Sequence, residues 1–202
     1  SVKFDPSNGV VSIPNDLLLS GTKDGTLNLP GEFDEQGQPL PAAAYANPSL
    51  AMGGLDGWST NMPYVIDLDV PSEVSINADS VATPDAVRIF EVVMGASITD
   101  PDCASDKVPA GIACKYVGEL TFGVDYIAKL TDSGKGIMVV PLKPLKPGAS
   151  YITALTKSIV MADGRPLQPS STYGLVKAEA PLVTDAQRSL QTVVQKYEEI
   201  IS

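Results

Sequence analysis

The chain has 202 residues, 44% hydrophobic and 19% charged, enough to bury a core as one domain, or one domain with an appendage, and unlike a disordered chain. A formal net charge of −10 argues against a nucleic-acid surface, which gathers Lys and Arg against phosphate, and against electrostatic docking on anionic lipid. The acidity is read as a solubility feature.

No run approaches the roughly 18 uninterrupted apolar residues of a membrane-crossing helix, and no secretory leader is visible. The sequence begins at Ser1 rather than Met, so it is expected to be a processed or excised piece of a longer polypeptide.

In chain order, residues 1–58 read as an irregular segment packing on the strand-rich region after it. "FDPSNGVVSIPNDLLLSGTKDGTLNLP" (4–30) sets Asp5, Asn8, Asp16, Asp24 and Asn28 beside several Gly and Pro residues. These side chains supply the hard oxygens that Ca²⁺ takes in groups of six to eight. No D-x-[DN]-x-[DN]-G loop is present, and the same residues serve in turns without any metal. Structural calcium is therefore the lesser reading and no cofactor is expected. "EFDEQGQPLPAAAYANPSLAMGGLDGW" (32–58) lacks periodicity and is expected to be coil, with a helical turn near 47–52. Trp58, the single tryptophan, is read as a core or interface anchor, with a platform for lipid or sugar as the alternative.

Residues 59–178 carry period-two patterns. In "YVIDLDV" (64–70), Tyr64, Ile66, Leu68 and Val70 share one strand face, and Asp67 and Asp69 share the other. The two carboxylates would stand roughly 7 Å apart by strand rise, a spacing compatible with glycoside hydrolysis, though a wet strand face commonly carries such residues for solvation alone. "VRIFEVV" (87–93), "KYVGEL" (115–120), "DYIAKL" (125–130) and "GIMVVPL" (136–142) are further strands, with "TDSGKG" (131–136) as a hairpin turn. "YITALTKSIV" (151–160) is the next candidate, Asp163-Gly164 a turn, and "STYGLVK" (171–177) the last strand. With no helices interleaved, the expectation is an all-β antiparallel sandwich.

Cys103 and Cys114 are the two cysteines, closing the polar, turn-rich loop "CASDKVPAGIAC". They suggest a disulfide and an oxidising compartment; two free thiols are the alternative. Two thiolates without further Cys or His make a poor zinc site, so no metal site is assigned.

Residues 182–202 end in an amphipathic helix. Thr184 and Gln187 form a capping box in "TDAQRSLQTVVQKYEEIIS". Ala186, Leu190, Val193, Val194, Tyr197 and Ile201 follow at helical spacing. The helix is read as core packing or as a connector toward a further domain.

The chain has no histidine, so it carries no Ser-His-Asp or Cys-His constellation. No G-x-S-x-G, P-loop or G-x-G-x-x-G is present either. No catalytic residue is assigned, and substrate-binding residues are unknown.

"FDPSNGVVSIPNDLLLSGTKDGTLNLP", "LDGWSTNMPY" and "VVPLKPLKPGASYITALTKSIVMADGRPLQPSSTYGLVK" resemble, in that order, the N-terminal domain of the bacterial virulence-factor lipases, over residues 4–177. These are large secreted or surface-anchored lipases and lysophospholipases. The third stretch is also similar to many bacterial Ig-like modules. The resemblance implies an Ig-like β domain ahead of a separate α/β-hydrolase domain that carries the serine elbow and the histidine; no residue here matches either. The chain would then be a non-catalytic accessory domain, extracellular or on the outer cell surface. Its partner would be the hydrolase domain of the same polypeptide, with a lipid surface as a further partner. A stand-alone Ig-like binding or adhesion module for glycan or protein is the alternative.

Overall fold

A computed structural model describes residues 1–5, 10–19, 26–27, 38, 51–178, 180 and 182–201. The chain forms two compact units: Ser1–Ile13 with Thr60–Ser202, and Pro14–Ser59.

Among the described residues of the larger unit, the alternating apolar runs become six strands in two antiparallel sheets. β1 (Tyr64–Asp67), β4 (Tyr126–Leu130) and β5 (Gly136–Pro141) form a sheet in the order β1-β5-β4. β2 (Val87–Met94), β3 (Ala113–Glu119) and β6 (Ser150–Leu155) form the other, in the order β3-β2-β6. Hairpin β4–β5 pairs Tyr126 with Pro141 and Leu130 with Ile137. It turns through Gly134 at φ 67°, a left-handed conformation that glycine adopts without a Cβ penalty. The β2–β3 ladder shifts register between Glu91 and Val92 and again between Val93 and Met94, as β-bulges do.

One buried cluster draws on both sheets: Ile66, Tyr126, Ala128, Ile137 and Val139 from the first, Val87 and Ile89 from the second. Polar groups entering this core are paired, as burial demands. The Tyr126 hydroxyl donates to the Val87 carbonyl, and the Tyr64 and Thr153 hydroxyls lie 2.8 Å apart. A four-residue helix, α1 (Ala78–Val81), adds Val81 to the cluster and is capped by the Asn77 side chain, which accepts from the Asp79 N–H at 3.0 Å.

Two expected strands are corrected. "STYGLVK" is a helix, α2 (Ser171–Lys177). The Ser170 hydroxyl accepts from the Tyr173 N–H at 3.1 Å, a helix-starting bond. Tyr173 and Val176, three residues apart, then meet the neighbouring helix. The β-branched and aromatic composition that pointed to a strand is overridden by that cap and that packing. "YITALTKSIV" is extended only through Leu155. Thr156 then turns the chain, its hydroxyl accepting from the Ser158 N–H at 3.1 Å, and Val160 pairs with Pro166 around the Asp163-Gly164 turn, where Gly164 has φ 84°.

The terminal helix, α3, spans Asp185–Ile201. Its capping box is formed in both directions: Thr184 Oγ1 accepts from the Gln187 N–H at 3.2 Å, and Gln187 Oε1 from the Thr184 N–H at 3.4 Å. Val194 packs with Val176 and Leu182. Buried Gln191 donates to the Ala178 and Ala180 carbonyls at 2.6 and 2.9 Å, fixing the link between α2 and α3.

In the smaller unit, Asp16–Leu19 and Met52–Gly54 are 3-10 turns, and the Leu27 N–H donates to the Leu55 carbonyl at 2.9 Å. The expected turn near 47–52 lies outside the described residues except for its last two positions.

Candidate functional site

The carboxylate candidates come first. Asp67 and Asp69 are exposed while Ile66 and Leu68 are buried, the alternation their sequence dictates. The Asp67 backbone is engaged on both sides: its N–H donates to Ser12 Oγ at 3.0 Å, and its carbonyl accepts from the Lys3 N–H at 2.9 Å. The two aspartates sit on the wet side of a marginal strand rather than facing each other across a cleft. Among the described residues no group of three or more His, Cys, Asp or Glu side chains is placed to hold a metal ion.

Of the calcium candidates, Asn8, Asp24 and Asn28 lie outside the described residues. Asp5 pairs its backbone with Val10 through bonds of 2.8 and 2.9 Å. The Asp16 carboxylate accepts from Trp58 Nε1 at 3.1 Å, so the half-buried indole is anchored by its polar end.

Chemistry and shape converge instead on the long β2–β3 connection and the helix beside it. Cys103 and Cys114 are joined by a disulfide with Cα atoms 5.8 Å apart. Backbone bonds brace the same loop: Gly95 N–H to Ile112 O at 2.8 Å, Ala96 N–H to Val108 O at 2.8 Å and Ser97 N–H to Cys103 O at 2.9 Å. Ser97 Oγ accepts from the Thr99 and Asp100 N–H groups at 3.2 and 3.0 Å. Position 95 must be glycine, because a Cβ there would stand 2.1 Å from the Pro109 carbonyl oxygen. Ala96 is held at φ 58°, a left-handed conformation that costs a residue with a Cβ on the order of 1 kcal/mol or more. Within this loop Ile98 is 101% exposed.

Charges steady the base of the loop. Lys115 Nζ meets Asp100 Oδ2 at 3.1 Å, and Lys107 Nζ donates to the Pro101 carbonyl at 2.8 Å. The bond from Lys115, reinforced by the Asp102 N–H, holds the Asp100 carboxyl below the ordinary carboxylate value. Helix α3 lies alongside: Tyr197 donates its hydroxyl to the Gly111 carbonyl at 3.2 Å. Between helix and loop is a cleft of about 160 Å³ with Val108, Ile112, Ala113 and Ile200 as apolar walls and Lys196 and Glu199 at its rim. That pair is closed by a 2.6 Å ion pair.

The sequence pointed to the cysteines and to α3 separately, but not to their meeting, which depends on the α2–α3 turn. Nor did it single out Ile98, an isolated apolar residue in a polar loop. Ala96 and Gly95 gave no separable signal, since backbone strain has no signature in residue type at an alanine. Also unforeseen is a bidentate pair across β2 and β3, where Arg88 Nε and Nη2 each meet a Glu119 oxygen at 2.7 Å. Arg88 lies 4.8 Å from the Phe90 ring centroid. Its hydrogen bonds hold the Glu119 carboxyl below its ordinary value.

The family profile described as bacterial virulence factor lipase N-terminal matches residues 2–202. No curated protein and no solved structure matches the chain.

Proposed function

The chain belongs to the bacterial virulence factor lipase N-terminal family, and from that membership we propose that it is a non-catalytic accessory domain at the front of a secreted or surface-anchored lipase. Ester hydrolysis is then the work of an α/β-hydrolase domain following in the same polypeptide, and the two-sheet body is an Ig-like sandwich that orients or shields it. The observation that carries this reading is the family match from residue 2 to residue 202. Two features support it. The chain contains no histidine, so it has no general base of the kind a serine hydrolase needs. The Cys103–Cys114 disulfide fits an extracellular compartment.

The test compares hydrolysis of short-chain and long-chain esters by residues 1–202 alone and by the complete polypeptide. The complete polypeptide is expected to turn over esters, and the 1–202 chain to give the buffer rate. Turnover by the 1–202 chain overturns the non-catalytic assignment. An open reading frame that stops near residue 202 overturns the accessory role in favour of a stand-alone binding module.

A further inference from the structure

We propose that the braced β2–β3 loop and the last turn of α3 form the surface on which the following domain of the same polypeptide sits, with Ile98 as its apolar anchor. The inference rests on the reading that such a domain follows.

Three observations converge. Ile98 is 101% exposed, a large apolar side chain held in water on a braced loop, so that its desolvation by a partner is favourable. The loop carrying it is fixed by the disulfide and by the backbone bonds of Gly95, Ala96 and Ser97. Ala96 stays in its left-handed conformation only because those bonds over-determine it. A prearranged anchor loses little conformational freedom on contact, which favours binding without added area.

The third observation names the occupant. Val108, which accepts from the Ala96 N–H at 2.8 Å, lines the cleft of about 160 Å³ together with Ile200 of the final helical turn. Whatever continues from α3 therefore emerges against the loop. Tethered this closely, it meets the loop at an effective concentration on the order of millimolar, so even a weak contact is populated. Within residues 95–112 Asp100, Asp102 and Asp106 outnumber the single cation Lys107, which disfavours an anionic bilayer as the occupant.

The test uses the complete polypeptide, with p-benzoylphenylalanine replacing Ile98 or, in a second protein, Asp132 on the β4–β5 hairpin. Each is irradiated, digested without reduction and mapped by mass spectrometry, and ester hydrolysis is measured on the same samples. Position 98 is expected to cross-link to peptides beyond residue 202 well above the yield at position 132, which stays in solvent. Ester turnover with no such excess at position 98 overturns the docking surface and leaves the lipase reading standing. Cross-links beyond residue 202 without ester turnover support docking and overturn the lipase reading. A polypeptide with no domain after residue 202 overturns both.

Discussion

Tyr126 shows how much a single buried hydroxyl does in this core. Its side chain lies between the two sheets with its hydroxyl on the Val87 carbonyl. Burial, with the Glu119 charge as a lesser cause, pushes the phenol up to about 12. A raised pKa favours the neutral form in the folded state. The resulting stability is complete below the ordinary value of 10 and is lost as pH rises from there through about 12. Tyr126→Phe is expected to lower stability at neutral pH by about 1 kcal/mol, the net worth of a buried hydrogen bond. The variant should also lose less between pH 10 and 12 than the parent. Urea unfolding at several pH values checks both; an unchanged alkaline slope removes Tyr126 from the explanation.

At the scale of elements, the disulfide and the helices differ in what they contribute. Cys103 and Cys114 are separated by 11 positions, and closing a loop of that length restricts the unfolded chain by about 3 kcal/mol. The Cys103→Ser, Cys114→Ser double variant is expected to lose about that much stability in chemical denaturation. Hydrogen exchange should rise in residues 95–112 and along the Tyr197 face of α3, which leans on Gly111. Exchange confined to the loop alone contradicts the mechanical link between staple and helix.

The elements also show what a sequence makes legible. Strands β1 to β5 were readable, β1 from the alternation in "YVIDLDV" imposed by burial of one face and the others from short β-branched, aromatic and apolar runs, all properties local to each stretch. The capping box of α3 was equally local, since Thr184 and Gln187 meet within one turn. Helix α2 was not readable, because Thr172, Tyr173 and Val176 favour strands until the Ser170 cap and the contact with Val194 are in place. The joining of β6 to β2, Val87 opposite Leu155, is a long-range pairing that no local pattern encodes. The same holds for the candidate site: its cysteines were visible, but the convergence of α3, loop and Ile98 is a tertiary fact.

For the whole molecule, the net charge of −10 makes the low end of the pH scale informative. Hydrogen bonds from Arg88 hold Glu119 below its ordinary 4.5, and the Thr121 N–H, followed by Lys143, holds Asp125 below 3.8. Groups lowered in the folded state contribute stability above their ordinary values, and that contribution is lost as pH falls through the folded ones. Thermal midpoints are therefore expected to stay level above pH 4.5 and to fall below it, with Glu119→Gln shallower than the parent. A variant with an unaltered acid slope argues that the Arg88 pair adds nothing measurable, as exposed pairs sometimes do.

The residues that lie alongside β1 have a consequence of another kind. Val2 pairs with Leu68, the Lys3 N–H meets the Asp67 carbonyl, and Ser12 takes the Asp67 N–H. Together they occupy the outer margin of a strand that heads its sheet in the order β1-β5-β4. An unoccupied margin is a template for another copy of the same chain. The opening residues thus act as a seal, and their pairing partners lie on the far side of the Pro14–Ser59 unit in the sequence. A chain trimmed of these residues would present β1 as an open edge through which copies could polymerise.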